Sequence, residues 1–274
     1  MSELEQIVRR ALAEDIGRGD VTTQAIVPPG ARGCGRIVAR EAGVIAGLRA
    51  ARATWRALSS KVTLRARVRE GDAVERGDVI AEVRGPLRAL LTGERVALNF
   101  LQRLSGIATL TRAYVDRAKP AKILDTRKTT AGLRALEKAA VRAGGGMNHR
   151  FALDELIMVK DNHVAAAGSI TEAVARARRK HPRRRIEVEV RTPAEVREAA
   201  ALRPDIIMLD NMSPARLRQA VAIVRRASPK TVIEASGGMT LARVGRVAAT
   251  GVDWISVGAL THSAPALDMA LELV

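Results

Sequence analysis

Residues 121–163 read AKILDTRKTTAGLRALEKAAVRAGGGMNHRFALDELIMVKDNH. Two apolar runs, Ile123-Leu124 and Leu156 to Val159, each end in a burst of charge, Asp125-Thr126-Arg127-Lys128 and Lys160-Asp161-Asn162-His163. A buried run that ends in charge reads as a parallel strand carrying polar groups to one rim of a sheet or barrel. Between the runs lie a helical stretch at 130–143, three glycines at 144–146 and the triplet Asn148-His149-Arg150. Brought to one rim, Arg127, Lys128, His149, Arg150 and Lys160 would form a site for a ligand with several negative charges.

The rhythm continues toward the C-terminus. Apolar runs at 121–124, 156–159, 186–190, 206–209, 231–233 and 254–257 alternate with helical patterns, which predicts βα units in series and a parallel sheet or barrel. In such folds chemistry sits at the C-terminal strand ends. Those ends carry Arg127 and Lys128, then Lys160, then Glu187 and Glu189, then Asp210-Asn211, then Glu234 and Ser236-Gly237-Gly238, and last Gly258. Glu189 and Asp210 offer hard oxygens suited to Mg²⁺ shared with substrate phosphates. Glu187, two residues earlier, points the same way in an ideal strand and could serve instead. The Ser236-Gly237-Gly238 turn ahead of a helix suits a phosphate, and Gly258-Ala259 after the next strand could complete the cup. No Ser/His/Asp or Cys/His constellation is legible, so the site is built for positioning and electrostatics rather than covalent catalysis.

The first 85 residues read differently. Leu4, Ile7, Val8 and Ala11 form a helical stripe, and Glu14 to Thr23 reads as a polar turn. Val62, Leu64, Ala66 and Val68 alternate with polar residues as in a half-buried strand, and Val79, Ala81 and Val83 repeat the pattern. This is a helix-plus-antiparallel-sheet layer. Leu87 to Ala118 reads as helix with a break or bend at Ser105-Gly106, and Arg95 on it reads as a solvated helix arginine.

Composition narrows the classes. The 274 residues are 47% apolar, which predicts a globular chain, and Cys34 is the sole cysteine, which excludes an internal disulfide. No apolar run approaches a membrane span and MSELEQIVRR has no signal-like apolar region, so the cytoplasm is expected. The net charge of +17 raises nucleic-acid binding, most of all at Arg176 to Arg185. Aromatics at 2% leave few stacking platforms, so an Arg-rich solvated surface that attracts anionic substrates is the better reading.

The run LDTRKTTAGLRALEKAAVRAGGGMNHRF…VKDNH resembles the quinolinate phosphoribosyltransferases. So do EDIGRGDVTT, GERVALNFLQRLSGIAT, IEVEV, IIMLDNMSP, IEASGG and VGALTHSAPALD, in order over nearly the whole chain. The resemblance implies a pentosyltransferase that joins phosphoribosyl pyrophosphate to quinolinate with loss of CO₂, giving nicotinate mononucleotide for NAD synthesis. It implies the α/β fold of type II phosphoribosyltransferases. An N-terminal α/β sandwich and linking helix (1–118) is rejoined by a C-terminal helix (about 264–274), and an open α/β barrel of parallel strands spans 119–263. A homodimer or dimer-based oligomer is expected. By motif, Arg127, His149, Arg150 and Lys160 should bind quinolinate, with Arg95 entering from the neighbouring subunit. Lys128, Glu189, Asp210, Ser236, Gly237, Gly238, Gly258 and His262 should bind phosphoribosyl pyrophosphate. Lys160, Glu189 and Asp210 should be catalytic, with Glu189 and Asp210 toward Mg²⁺. Three residues depart from the family pattern: Ala131, Ala152 and Arg191. The alternatives are a same-fold enzyme with another acid acceptor such as nicotinate, and a basic nucleic-acid-binding protein.

Overall fold

A computed structural model describes residues 1–274. The N-terminal elements are α1 (Glu3–Ile16), α2 (Val21–Ile26), β1 (Arg32–Ala39), β2 (Gly43–Val44), α3 (Leu48–Leu58), β3 (Thr63–Ala66), β4 (Ala73–Val74), β5 (Val79–Pro86) and α4 (Leu87–Ala118). Then follow β6 (Lys122–Leu124), α5 (Arg134–Ala143), β7 (Ile157–Val159), α6 (Asp161–Ala167), α7 (Ile170–Lys180), β8 (Ile186–Val190), α8 (Pro193–Leu202) and β9 (Ile206–Asp210). The chain closes with α9 (Pro214–Ala227), β10 (Val232–Ser236), α10 (Leu241–Ala248), β11 (Trp254–Ser256), α11 (Ala259–His262) and β12 (Met269–Leu273).

Two compact units result, one from residues 1–112, 130–145 and 263–274, the other from 113–129 and 146–262. In the first, an antiparallel sheet of order β12-β1-β5-β3 buries its apolar face under α3 and α4. Trp55 is wholly buried there with Ile37, Ile80, Val83, Leu90 and Leu98, and its indole N–H donates to the Leu90 carbonyl at 3.0 Å. Each such side chain contributes about 1.5–3 kcal/mol. The α1 stripe packs with Val96 and Phe100 of α4 in a second cluster.

The polar stretch 14–23 holds more helix than its composition suggests. α1 runs on to Ile16, and Asp20 caps α2 by accepting the Thr23 N–H at 2.9 Å. Helix α4 is also unbroken across Ser105-Gly106. Gly106 serves contact instead: a Cβ there would lie 1.8 Å from the Pro265 carbonyl oxygen. That approach belongs to the C-terminal segment, which is a strand and not the expected helix. Leu267, Met269, Leu271 and Leu273 alternate with Asp268, Ala270 and Glu272, a period-two pattern. The strand pairs antiparallel with the open edge of β1, Gly35 opposite Leu273 through Ala39 opposite Met269.

Residues 130–145, expected with the barrel, pack in the first unit. Leu133 and Leu136 join the α1–α4 cluster, and the buried Glu137 carboxylate faces Arg103 at 2.9 Å. Glu137 also accepts the Thr130 hydroxyl at 2.8 Å and the Thr130 N–H at 3.0 Å. A boundary drawn only at 118/119 therefore misses this excursion.

The second unit contains all six expected strands in one parallel sheet of order β6-β11-β10-β9-β8-β7. Neighbours follow chain order from β7 to β11, and β11 then returns to β6. β6 and β7 are the two edges of this sheet and do not pair with each other, which makes the barrel open. A lone parallel bridge from Leu124 to Met147 extends the β6 edge.

Candidate active site

The inward face of the barrel follows from period two. Glu189, Met208 and Glu234 lie in one register row across β8, β9 and β10, and Asp210 stands opposite Ser236 one step nearer the rim. Glu187 is opposite Met158 on β7. A cavity of about 200 Å³ opens over this row, lined by Thr126, Arg127, Lys128, His149, Arg150, Met158, Lys160, Glu189, Met208, Glu234, Ser236 and Ser256. All five cationic or potentially cationic groups expected to converge do so.

Their placement is braced from behind. Asp125, wholly buried, accepts the Asn148 side-chain amide at 2.5 Å and the His149 N–H at 2.9 Å. This ties the loop after β6 to the Asn-His-Arg triplet. The Arg150 guanidinium donates to the Leu156 carbonyl at 3.1 Å, and its backbone N–H donates to His149 Nδ1 at 2.8 Å. Burial and the neighbouring Arg127 hold Arg150 below the usual arginine value. Lys160 Nζ stands 2.6 Å from Glu189.

Deeper, His149 Nε2 stands 3.1 Å from Glu187 and 3.5 Å from Glu234, both carboxylates being wholly buried. Burial alone would pull His149 down, but hydrogen bonding and charge from Glu187 and Glu234 carry it up to about 10. Burial pushes Glu187 up as well, with the Glu234 charge adding to it. Because Nδ1 accepts the Arg150 N–H, the cluster's additional proton belongs between Nε2 and the carboxylates. The structure thus separates the two candidates on β8: Glu187 belongs to the deep His149 cluster, and Glu189 to the Lys160 rim.

The turn expected to take a phosphate is assembled by glycines. Gly237 and Gly238 have φ of +91° and +57°, and a Cβ on Gly237 would lie 2.9 Å from the Asn211 nitrogen. Arg243 secures this turn, donating to the Gly237 and Gly238 carbonyls at 3.1 and 3.2 Å. At Gly258 a Cβ would meet His262 Nε2 at 3.1 Å and Lys128 Cδ at 3.2 Å, so Gly258, Lys128 and His262 lie together. The Thr261 hydroxyl donates to the Lys128 carbonyl at 2.9 Å.

Asp210 and His262 lie beside the cavity rather than in its wall, and Arg95 is exposed on α4 in the other unit. Glu234, placed by sequence at the end of its strand, carries no role there, and Ser256 and the buried Asp125 are not singled out as site groups. Counting back in twos from the strand end puts Glu234 two residues deeper than Ser236 on the same face, which is where it meets His149. Arg191 was read only as a departure. Its guanidinium reaches Asp210 at 3.0 Å, Asp161 at 3.1 Å and Glu189 at 3.4 Å.

The geometry is a cation-lined cavity with a glycine-rich turn beside it, at one end of a parallel sheet. Residues 20–105 match the N-terminal domain of quinolinate phosphoribosyl transferase, and residues 107–272 match its C-terminal domain. A probable carboxylating nicotinate-nucleotide pyrophosphorylase from Synechocystis is 50% identical, aligned over 96% of this chain and 90% of its own. The Bacillus subtilis protein of the same description is 47% identical over 99% and 93%. NadC from Streptococcus pyogenes superposes with a TM-score of 0.95 at 43% identity, over 99% of this chain and 96% of its own. No helix is long and apolar enough to cross a membrane. With both domain models matched along one chain and a full-length structural counterpart, the protein belongs to the quinolinate phosphoribosyltransferase family.

Proposed function

We propose that this chain transfers phosphoribose from phosphoribosyl pyrophosphate to quinolinate with decarboxylation, releasing nicotinate mononucleotide, pyrophosphate and CO₂. The observation that carries the reading is the cavity of about 200 Å³ walled by Arg127, Arg150 and Lys160 beside Lys128 and Ser236. It has room for one small planar ring and cations enough for two ring carboxylates. Quinolinate sits with its carboxylates on Arg127, Arg150 and Lys160. His149 works from behind, since its ring holds the Arg150 backbone and the Glu187–Glu234 pair. Lys128, Ser236, Gly237, Gly238, Gly258 and His262 bind the phosphates.

Glu189 and Asp210 fit Mg²⁺. Both are hard carboxylates on adjacent strands, and two of them make no closed cage, as suits an ion that keeps waters and shares substrate phosphates. When bound, the ion neutralises charge on the departing pyrophosphate. The ribose C1–O bond breaks, and the carboxylates of Glu189 and Asp210 favour the positive charge that develops on the sugar. The quinolinate nitrogen forms the new bond to C1. The positive nitrogen of the pyridinium so made stabilises the electron pair that stays at C2, as an ylide, when CO₂ departs, and a proton then takes up that pair. No protein nucleophile is needed. We further propose a homodimer in which Arg95 completes the partner's site. The cytoplasm is where we place the reaction, because phosphorylated sugars are made and kept inside the cell.

The test is direct. Purified protein, Mg²⁺ and phosphoribosyl pyrophosphate are mixed with quinolinate or with nicotinate, and mononucleotide and CO₂ are followed. Product and CO₂ from quinolinate alone support the reading. Product from nicotinate, or from neither acid, refutes the acceptor assignment.

A further inference from the structure

Arg191 follows β8 at the rim. Three different nitrogens of its guanidinium serve three carboxylates. Nε donates to Asp210 at 3.0 Å, Nη1 to Asp161 at 3.1 Å and Nη2 to Glu189 at 3.4 Å. The other Glu189 oxygen takes Lys160 at 2.6 Å. The backbone at Arg191 is fixed too, its N–H donating to Glu195 at 2.6 Å. Asp161, Glu189 and Asp210 come from the start of α6 and the ends of β8 and β9, so one guanidinium sits at the crossing point of three elements. That point is also where a divalent ion held by Glu189 and Asp210 would bring its charge.

We propose that Arg191 is a positioning residue at the phosphoribosyl end: it competes with the divalent ion for Asp210 and passes its donors to the diphosphate when ion and substrate arrive together. This rests on the phosphoribosyltransferase reading above. The physical case has three parts. An arginine and a divalent ion cannot both occupy the same carboxylate oxygen. Exchange is cheap, because the Arg191 side chain is 52% exposed and exposed ion pairs are individually weak. The released fork finds an equivalent partner in diphosphate oxygens, which match its geometry as well as carboxylates do. The consequence is an order of binding. Ion alone meets a site already neutralised by Arg191 and Lys160, whereas ion carried by diphosphate gives Arg191 somewhere to go.

The experiment is a Mn²⁺ titration of the full chain, without substrates, read by the electron paramagnetic resonance of free Mn²⁺. Arg191→Gln is expected to bind Mn²⁺ about 5- to 20-fold more tightly than wild type, since two exposed ion pairs of ordinary strength no longer compete. Arg191→Lys, which keeps the charge but lacks the fork, is expected to fall between. The gain must vanish in Arg191→Gln/Asp210→Asn. With substrates, Arg191→Gln should raise KM for phosphoribosyl pyrophosphate more than it lowers kcat, and Arg191→Lys should recover part of that rise. Unchanged or weaker Mn²⁺ binding in Arg191→Gln overturns the proposal, as does a gain that survives loss of the Asp210 charge. The titration contains no acceptor, so a chain that fails to use quinolinate leaves its answer standing.

Discussion

Replacing Lys160 by alanine separates a binding role from a structural one. Lys160 Nζ lies 2.6 Å from Glu189, with side-chain exposures of 42% and 8%. For the fold, the loss is that of one partly exposed ion pair, up to about 1 kcal/mol. Arg191 at 3.4 Å from the other Glu189 oxygen keeps that carboxylate partnered. A fall in Tm of only a few degrees follows for a chain of this size. For the reaction, the amine is one of the cations proposed to hold a quinolinate carboxylate inside a narrow cavity. Truncating one member of a desolvated charge pair costs roughly 2–5 kcal/mol, which is about 30- to 4,000-fold in kcat/KM. Steady-state kinetics with quinolinate varied at saturating phosphoribosyl pyrophosphate measures this, with a thermal melt alongside. A folded Lys160→Ala protein with kcat/KM within about fivefold of wild type would refute the assignment of Lys160 to the acceptor.

Inactive Arg95→Ala and inactive Lys160→Ala subunits, mixed and allowed to exchange, are expected to regain activity, because one hybrid site would be intact; no recovery after verified exchange counts against a shared site. Gly258→Ala places a Cβ 3.1 Å from His262 and 3.2 Å from Lys128. It should raise KM for phosphoribosyl pyrophosphate several-fold while leaving KM for quinolinate near wild type, and the reverse pattern would move the phosphate cup elsewhere. The pH dependence of stability follows from the deep cluster. His149, drawn down by burial but lifted more by Glu187 and Glu234, rises from 6.5 to about 10. A histidine raised on folding supports the fold fully below 6.5 and loses that support as pH climbs toward 10, and the raised Glu187 acts with the same sign. Tm should therefore fall between pH 6.5 and 10, and fall less in His149→Gln; parallel profiles for the two proteins would show that the cluster takes up no proton on folding.

The strands and their polar ends were legible because both depend on local period and local charge. Six apolar runs that stop in Arg, Lys, Glu, Asp or Gly could be read without knowing which strand lies beside which. Legibility failed where long-range packing decides. Gly106 looks like a helix break in isolation, yet its role is set by Pro265, far away in the chain. At the C-terminus the helix implied by the family resemblance gives way to a strand, whose local signal is the alternation from Leu267 to Leu273. The transfer of 130–145 to the first unit hinges on Glu137 meeting Arg103, a pairing that spacing does not announce. Glu187 and Glu189 share a strand face and differ only in depth, which period two leaves undecided.

A cation-lined cavity with carboxylates in its walls needs a reason. Arg127, Lys128, Arg150, Lys160 and Arg191 would repel one another if gathered around so small a space without compensation. The carboxylates stand on rigid strands, and most of the cations stand on loops, so Glu189 and Asp210 hold Lys160 and Arg191 in place before any substrate carboxylate or phosphate takes over. The field is thereby preorganised, and substrate binding becomes an exchange of partners rather than a capture of solvated charge. Exchange also bears on the choice of acceptor. A ring with one carboxylate instead of two leaves a cation of the narrow cavity on its resting partner, as Lys160 on Glu189, and forgoes one charge-assisted contact that the dicarboxylic acid makes. Selection for the dicarboxylic acid over nicotinate then comes from the contact the second carboxylate adds, and it should weaken when Arg127, Arg150 or Lys160 is removed even as overall activity falls.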